Sequence, residues 1–191
     1  NRTIKVSEKL EIRLLYSRGY KRNIGLGRLI DHLQLALAFK KKLKTERNIP
    51  DIAFIGYPPI ESAFVLTNWL NKRSVPMILD IKDQWPTLFI DAFPRGLKIF
   101  GFIIFWPYFY LARKAISNST GVTSMSNGFI DWIKKFYDPK KVIYMGDGIF
   151  DHYVMRSVGY SIAPMNADYL AKKNANYICK RSGGDRAVAE A

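Results

Sequence analysis

Short apolar runs alternate with segments of helical periodicity along the whole sequence, and this alternation restricts the fold more than any other feature. The apolar runs predict strands at residues 11–17, 51–57, 76–81, 120–124, 141–146, 160–163 and 176–179. The segments near them predict helices at 28–45, 60–72, 97–116, 126–136, 151–157, 166–173 and 184–190. Strands that alternate with helices form parallel sheets, because each helix returns the chain to the same edge. The sequence therefore predicts an α/β, Rossmann-like fold, with a mostly parallel sheet flanked by helices.

The charge of the chain is large and unevenly distributed. The net charge is +14, and residues 1–135 carry +12 of it, with 22 Lys and Arg against 10 Asp and Glu. Such an excess predicts anionic partners, either phosphorylated metabolites or anionic lipid, and basic helix faces that are merely solvated are the alternative. The aromatic residues are not interleaved with the basic runs as stacking platforms would be, so no nucleic-acid partner is expected.

One helical segment, LKIFGFIIFWPYFYLA at 97–112, is apolar on nearly all sides and contains Gly101 and Pro107. Its 16 residues would extend about 24 Å as a helix, which is short of the roughly 30 Å hydrocarbon core of a bilayer. Two interpretations remain open. The segment is either a buried helix that covers the sheet, or a peripheral element that lies on a membrane surface with basic residues nearby.

Two aspartates follow a predicted strand in the stretch MGDGIFDHYVM. Asp147 comes after an apolar run and a glycine, and Asp151 stands four residues later, in the first turn of a predicted helix. Carboxylates at the carboxyl end of a strand are typical of Mg²⁺ sites, because Mg²⁺ prefers oxygen ligands and keeps several waters. The alternative is that both aspartates only stabilise the beginning of the helix.

The carboxyl-terminal stretch resembles sugar-phosphate phosphatases of the haloacid dehalogenase superfamily, in particular those acting on 3-deoxy-octulosonate and sialic-acid-type phosphates. GDGIFD, SIAPMNA and GGDRAVAE carry the resemblance. It implies that Asp147 and Asp151 hold Mg²⁺ while a separate aspartate attacks phosphorus, and that the substrate is a sugar phosphate. Relatives of this kind often form a homo-oligomer, but the matching stretch is too short to imply one for this chain. The family's nucleophile lies in an Asp-x-Asp motif, and these 191 residues contain none.

The preceding part, residues 10–135, resembles the amino-terminal domain of family-4 GT-B glycosyltransferases, which build bacterial surface polysaccharides. The matching stretches are strand–YPPIE–helix and LDIKDQWP. The resemblance implies a nucleotide sugar and a lipid-linked acceptor as partners, and contact with the membrane. Asp80 and Asp83 are its candidate catalytic residues, and Glu61 and Asp83 its candidate substrate-binding residues. Capping of the following turn by Asp83, and a favourable helix dipole at Glu61, are the alternatives.

Together these resemblances predict two partial domains, 1–135 and 136–191, joined near 134–140. The first functional interpretation is a glycosyltransferase-like, acceptor-side protein of surface-polysaccharide synthesis. The second is a Mg²⁺-dependent sugar-phosphate phosphatase, and the third is a non-catalytic fused remnant. The chain begins without an apolar signal sequence, which predicts a cytoplasmic location, peripheral to the inner membrane face if residues 97–112 contact lipid.

Overall fold

The computed structural model describes residues 2–21, 25–124, 127–136, 138, 140 and 142–191. Within these residues the strands are β1 (Arg2–Ser7), β2 (Leu10–Leu14), β3 (Ala53–Tyr57), β4 (Met77–Ile81), β5 (Gly121–Ser124), β6 (Ile143–Met145), β7 (Tyr160–Ala163) and β8 (Tyr177–Ile178). The helices are α1 (Leu26–Thr45), α2 (Ile60–Asn71), α3 (Thr87–Asp91), α4 (Lys98–Asn118), α5 (Asn127–Ile133), α6 (Asp151–Met155), α7 (Tyr169–Asn174) and α8 (Ala187–Glu190). A short 3₁₀ turn, Arg95–Leu97, precedes α4.

The predicted α/β fold with parallel sheets is confirmed. Strands β3, β4 and β5 form one parallel sheet in that order, and β6, β7 and β8 form a second. A single parallel bridge between Val122 and Val142 joins the edge of the first sheet to the edge of the second. The two sheets therefore lie side by side, with the carboxyl ends of their strands at one common edge.

The strand predicted at 11–17 is an exception. It forms β2, which pairs with β1 as an antiparallel hairpin and is not part of either parallel sheet. Every residue of both strands is exposed. The prediction that residues 11–17 belong to the parallel sheet was therefore wrong. An apolar run indicates a strand but does not indicate which strand it pairs with. Helix α3 was not predicted at all.

One hydrophobic core extends across the predicted junction. Ile55, Leu79 and Val122 pack in the same cluster as Tyr144 and Ala163. Alternate residues of the second sheet face the other way, and Ile162 packs with Cys179 and Ala187 in a smaller cluster under α8. Residues 125, 126, 137, 139 and 141 lie outside the described residues, so parts of the predicted helix 126–136, strand 141–146 and junction 134–140 do too. The division into two domains stays a prediction.

Helix α4 continues through both Gly101 and Pro107. Gly101 is where the helix approaches its neighbours closely, since a Cβ there would lie 3.2 Å from the Phe93 ring and 3.3 Å from Ile90. By length and composition, Arg95–Asn118 could cross a membrane, and only 22% of its most apolar window is buried. Because most of its apolar surface is exposed, the interpretation of this helix as a buried cover for the sheet is wrong.

Candidate functional site

Asp147 lies just past the carboxyl end of β6, where the sequence placed it. The backbone of this segment is anchored on both sides: Gly146 N donates to Ile162 O at 3.1 Å, and Asp147 O accepts from Asp168 N at 2.8 Å. The side chain is exposed, and its carboxylate accepts no hydrogen bond within the described part of the chain. Asp147 therefore has a fixed backbone and a carboxylate available to a ligand.

Asp151 is held differently. It is the first residue of α6, and its two oxygens accept from different donors: Tyr144 Oη at 2.7 Å and Gly148 N at 2.8 Å. Burial, and then the hydrogen bond to Asp151, raise the pKa of Tyr144, so its hydroxyl remains a proton donor at neutral pH. Asp151 thus closes the turn before α6 and keeps its remaining lone pairs for a cation or its water. It does not cap the helix, whose N-cap residue is Phe150 without a side-chain cap hydrogen bond.

The glycine between β6 and Asp147 makes this arrangement possible. A Cβ at Gly146 would lie 2.5 Å from Asp151 Oδ2 and 2.6 Å from its Cγ, which is far inside normal contact distance. At Gly148 the same atom would lie 3.5 Å away, which is an ordinary contact. Gly146 is therefore needed for the close approach of the carboxylate, whereas Gly148 is not.

A cavity of about 330 Å³ opens beside Asp147. Gly183, Gly184 and Arg186 also line it, and a Cβ at Gly183 would lie 3.7 Å from Asp147 Oδ2. Gly184 and Arg186 have left-handed backbone conformations, with φ of 86° and 59°. Arg186 is the basic residue among those that line the cavity. No site residue was predicted in GGDRAVAE, although its two adjacent glycines shortly before an arginine were an available signal.

The two carboxylates fit a divalent cation that retains most of its water. No group of three or more His, Cys, Asp or Glu positioned for a metal occurs among the described residues. Mg²⁺ is commonly bound through one or two carboxylates plus waters and phosphate oxygens, so the pair Asp147 and Asp151 meets the lower limit of such a site. The available carboxylate of Asp147 beside an open cavity is the observation that supports this fit.

Asp80 and Asp83, the candidate catalytic residues, both have partners in the fold. Asp80 accepts from Thr123 Oγ1 at 2.9 Å and pairs with Lys82 Nζ at 3.2 Å. Asp83 accepts from the adjacent amide, Gln84 N, at 3.0 Å. The helix that follows, α3, has Pro86 as its N-cap residue and no side-chain cap hydrogen bond. Asp80 and Asp83 form no metal-binding cluster with Asp147, since no group of three or more His, Cys, Asp or Glu positioned for a metal occurs in the described part of the chain.

Glu61, the candidate substrate-binding residue, lies in the first turn of α2 and is buried. Its Oε2 lies 4.0 Å from Nδ1 of the buried His32. Burial raises the pKa of Glu61 above its ordinary value of 4.5, and burial together with Arg28 lowers the pKa of His32. Both shifts favour the neutral forms, so this buried pair is not an ion pair at rest.

The raised pKa of Glu61 predicts a pH-dependent stability. As pH rises from about 4.5, the unfolded chain releases this proton before the folded protein does, so the free energy of unfolding falls until pH exceeds the folded pKa. We expect Glu61→Gln to remove that loss. Urea denaturation from pH 4 to 8 checks it, with wild type and variant compared at each pH.

Glu46→Gln is the control of opposite sign. The pKa of Glu46 is lowered by its hydrogen bonds to Asn48 and Lys42, so wild type should lose stability relative to this variant as pH falls. If the difference between wild type and Glu61→Gln did not change with pH, the assignment of a raised pKa would be wrong.

The carboxyl-terminal part of the chain matches known proteins. The sequence model of the haloacid dehalogenase-like hydrolase family matches residues 113–191. The 3-deoxy-D-manno-octulosonate 8-phosphate phosphatase of Yersinia pestis is 32% identical over 82 residues, covering 39% of this chain and 44% of that protein. The Escherichia coli K12 enzyme of the same name is 35% identical over 78 residues, covering 37% and 42%. The chain thus spans less than half the length of these relatives.

Solved structures with whole-chain similarity include two phosphatases of the same name. The Moraxella catarrhalis protein, in complex with magnesium, phosphate and KDO, is 17% identical with a TM-score of 0.34, covering 79% of this chain and 86% of that one. The Yersinia pestis protein is 15% identical with a TM-score of 0.32, covering 73% and 77%. TM-scores this low do not establish that the two proteins share a topology with this chain. The fold described above is defined by the strand pairing of this chain alone.

None of the relatives and structures named above is a glycosyltransferase, so the resemblance of residues 10–135 to that class rests on the sequence alone. The resemblance of the carboxyl-terminal part is supported by the family match and by two relatives above 30% identity. Residues 113–191 therefore resemble the haloacid dehalogenase-like hydrolases, and among them the sugar-phosphate phosphatases.

Proposed function

We propose that this chain provides the cation- and phosphate-binding part of a divalent-metal-dependent phosphatase that acts on sugar phosphates. One observation carries the proposal: the available carboxylate of Asp147 faces a cavity lined by Arg186, at the carboxyl end of β6. A carboxylate and a basic residue that line one small cavity suit a cation and a phosphate group held next to each other.

The residues have distinct roles in this proposal. Asp147 holds the cation, and Asp151, fixed by Tyr144 and Gly148, orients it directly or through water. Arg186 binds phosphate oxygens at the same cavity. When bound, Mg²⁺ would neutralise phosphate charge and polarise the phosphoryl group. No residue of the chain is assigned the attack on phosphorus, because the sequence contains no Asp-x-Asp.

The substrate class follows from the relatives. The curated proteins that match are named for hydrolysis of 3-deoxy-D-manno-octulosonate 8-phosphate, so phosphorylated 3-deoxy sugar acids are the first compounds to test. The excess of basic residues, with a net charge of +14, also favours an anionic substrate by raising its local concentration.

Cation binding and catalysis should be measured separately. Mn²⁺ binding, followed by electron paramagnetic resonance, is expected to saturate at one site per chain. Release of inorganic phosphate from a panel of sugar phosphates is then measured with Mg²⁺ and with a chelator. Absence of any saturable Mn²⁺ binding would overturn the proposal. Binding without phosphate release would restrict it to a binding role, as expected if the attacking aspartate is not in this chain.

A role for residues 10–135 in binding a glycosyl acceptor is the second candidate. Buried polar atoms beside Glu61 favour it, since His32 Nδ1 and Ser62 Oγ have no hydrogen-bond partner within the described residues. Transfer of a labelled sugar from a nucleotide sugar to a lipid-linked acceptor tests it; no transfer by wild type, or equal transfer by Glu61→Gln, would count against it.

A further inference from the structure

We propose that α4 and α1 form a surface that docks on an anionic lipid bilayer. The outer side of α4 exposes an apolar stripe in which Ile99 is 66% exposed, Ile103 67%, Trp106 66% and Tyr110 49%. These residues are spaced four, three and four apart, so they share one side of the helix. Such a continuous apolar stripe is costly in water and marks a surface that contacts another apolar phase.

A basic end follows the apolar stripe of α4 directly. Arg113 and Lys114 stand three and four residues after Tyr110, on the same side of the helix, and both are exposed. Helix α4 contains no Asp or Glu. An aromatic and aliphatic stripe that ends in basic residues fits an interfacial helix, in which side chains enter the acyl boundary while cations meet lipid phosphates.

Helix α1 repeats this arrangement. Its exposed apolar residues have the same spacing and are followed on the same side by exposed lysines: Leu26, Ile30, Leu33 and Leu37, then Lys40, Lys41 and Lys44. Two helices with an apolar first half and a basic second half are hard to explain as independent accidents of composition, because each stripe is continuous over three turns.

The two helices lie on either side of α2 with their basic ends at the same level. Trp69 Nε1 donates to Leu43 O near the end of α1 at 3.1 Å, and Asn118 Nδ2 at the end of α4 donates to Asn68 Oδ1 at 3.2 Å. Since Asn68 and Trp69 are neighbours in α2, the carboxyl-terminal ends of α1 and α4 lie beside the same turn of α2. Both helices therefore present apolar and basic halves in the same order.

A helix lying on the bilayer explains α4 better than a helix crossing it. The exposed apolar part, 99–110, is about 18 Å long, well short of a roughly 30 Å hydrocarbon core. The last turns are fixed to the protein, since Ala112, Ala115 and Ile116 are fully buried in the main core. The helix cannot leave that core without exposing it.

A second copy of the chain is the competing occupant, and charge argues against it. A symmetric contact through these stripes would bring the basic ends of both copies together, and each copy carries +14. Anionic lipid is complementary to the same charge, and each basic residue near such a surface adds about 1 kcal/mol to binding.

Vesicle flotation at low salt tests the proposal. We expect the wild-type chain to bind vesicles containing phosphatidylglycerol, with at least tenfold less bound to phosphatidylcholine alone. The fluorescence of the wild-type chain should be quenched by lipids brominated on the acyl chain, and Trp106→Phe should lose most of that quenching. Trp106 is 66% exposed, whereas Trp85 and Trp132 are 4% exposed and Trp69 is half-buried. Ile103→Glu with Trp106→Glu should lower the bound fraction at least tenfold while circular dichroism remains unchanged.

Tyr169→Glu is the matched control, since Tyr169 on α7 is an aromatic residue of similar exposure, 69%. It should bind vesicles as wild type does. Equal binding by the α4 double variant, or no binding to either vesicle, would overturn the proposal. So would a wild-type dimer in light scattering that the α4 double variant abolishes, because the surface would then belong to a second copy.

Discussion

Asp147→Asn is expected to lower divalent-cation affinity by about 10- to 100-fold or more. Substitution of a residue that only supports a metal ligand already causes a loss of that size. Its free energy of unfolding should stay within about 0.5 kcal/mol of wild type, as for most exposed substitutions. The reason is that the Asp147 carboxylate is exposed and accepts no hydrogen bond within the described residues. Mn²⁺ titration and urea denaturation of the same preparation give both quantities.

Two variants make this prediction specific. Asp51→Asn removes an exposed carboxylate at the amino end of β3, the opposite edge of the sheet, and should change neither quantity. Asp151→Asn should lower both the divalent-cation affinity and the free energy of unfolding, because Asp151 accepts hydrogen bonds from Tyr144 and Gly148. Unchanged cation affinity in Asp147→Asn would remove Asp147 from the proposed site, and a loss of stability alone would mean that its role is structural.

The sequence predicted the position of Asp147 because a single local rule places it: an apolar strand followed by glycine ends at the functional edge of a parallel sheet. The partners of Asp151 could not be predicted in this way. Its bond to Tyr144 depends on how closely α6 returns to β6, and that distance depends on packing across the whole segment. Arg186 is a similar case, since it reaches the cavity only through the left-handed turn before α8.

The same limit explains the errors in the fold. The periodicity of residues 51–81 located β3, α2 and β4 within two residues, because burial of one face of each element imposes the pattern. For residues 11–17 the pattern gave a strand, yet its partner β1 was not predicted and the resulting hairpin is exposed. For 97–112 composition gave a helix but not its exposure, which depends on which neighbours cover it.

Gly146→Ala is expected to cost about 2 to 3 kcal/mol of unfolding free energy and to weaken cation binding. The new Cβ would lie 2.5 Å from Asp151 Oδ2, so the carboxylate must move away from its donors Tyr144 and Gly148. Hydrogen bonds to a charged acceptor each contribute about 1.5 to 3 kcal/mol, and partial exposure of Asp151 reduces the total. Urea denaturation and Mn²⁺ titration measure the two effects.

Gly148→Ala is the matched control in the same loop. Its Cβ would make only an ordinary contact, 3.5 Å from Asp151 Oδ2, and its φ lies outside the left-handed region, so its stability should stay within about 1 kcal/mol of wild type. A double-mutant cycle with Tyr144→Phe identifies the mechanism. Tyr144→Phe should destabilise wild type by more than it destabilises Gly146→Ala, in which the bond to Asp151 is already lost. Equal destabilisation in both backgrounds would mean that Gly146 supports β6 in some other way, and that Asp151 keeps its position without it.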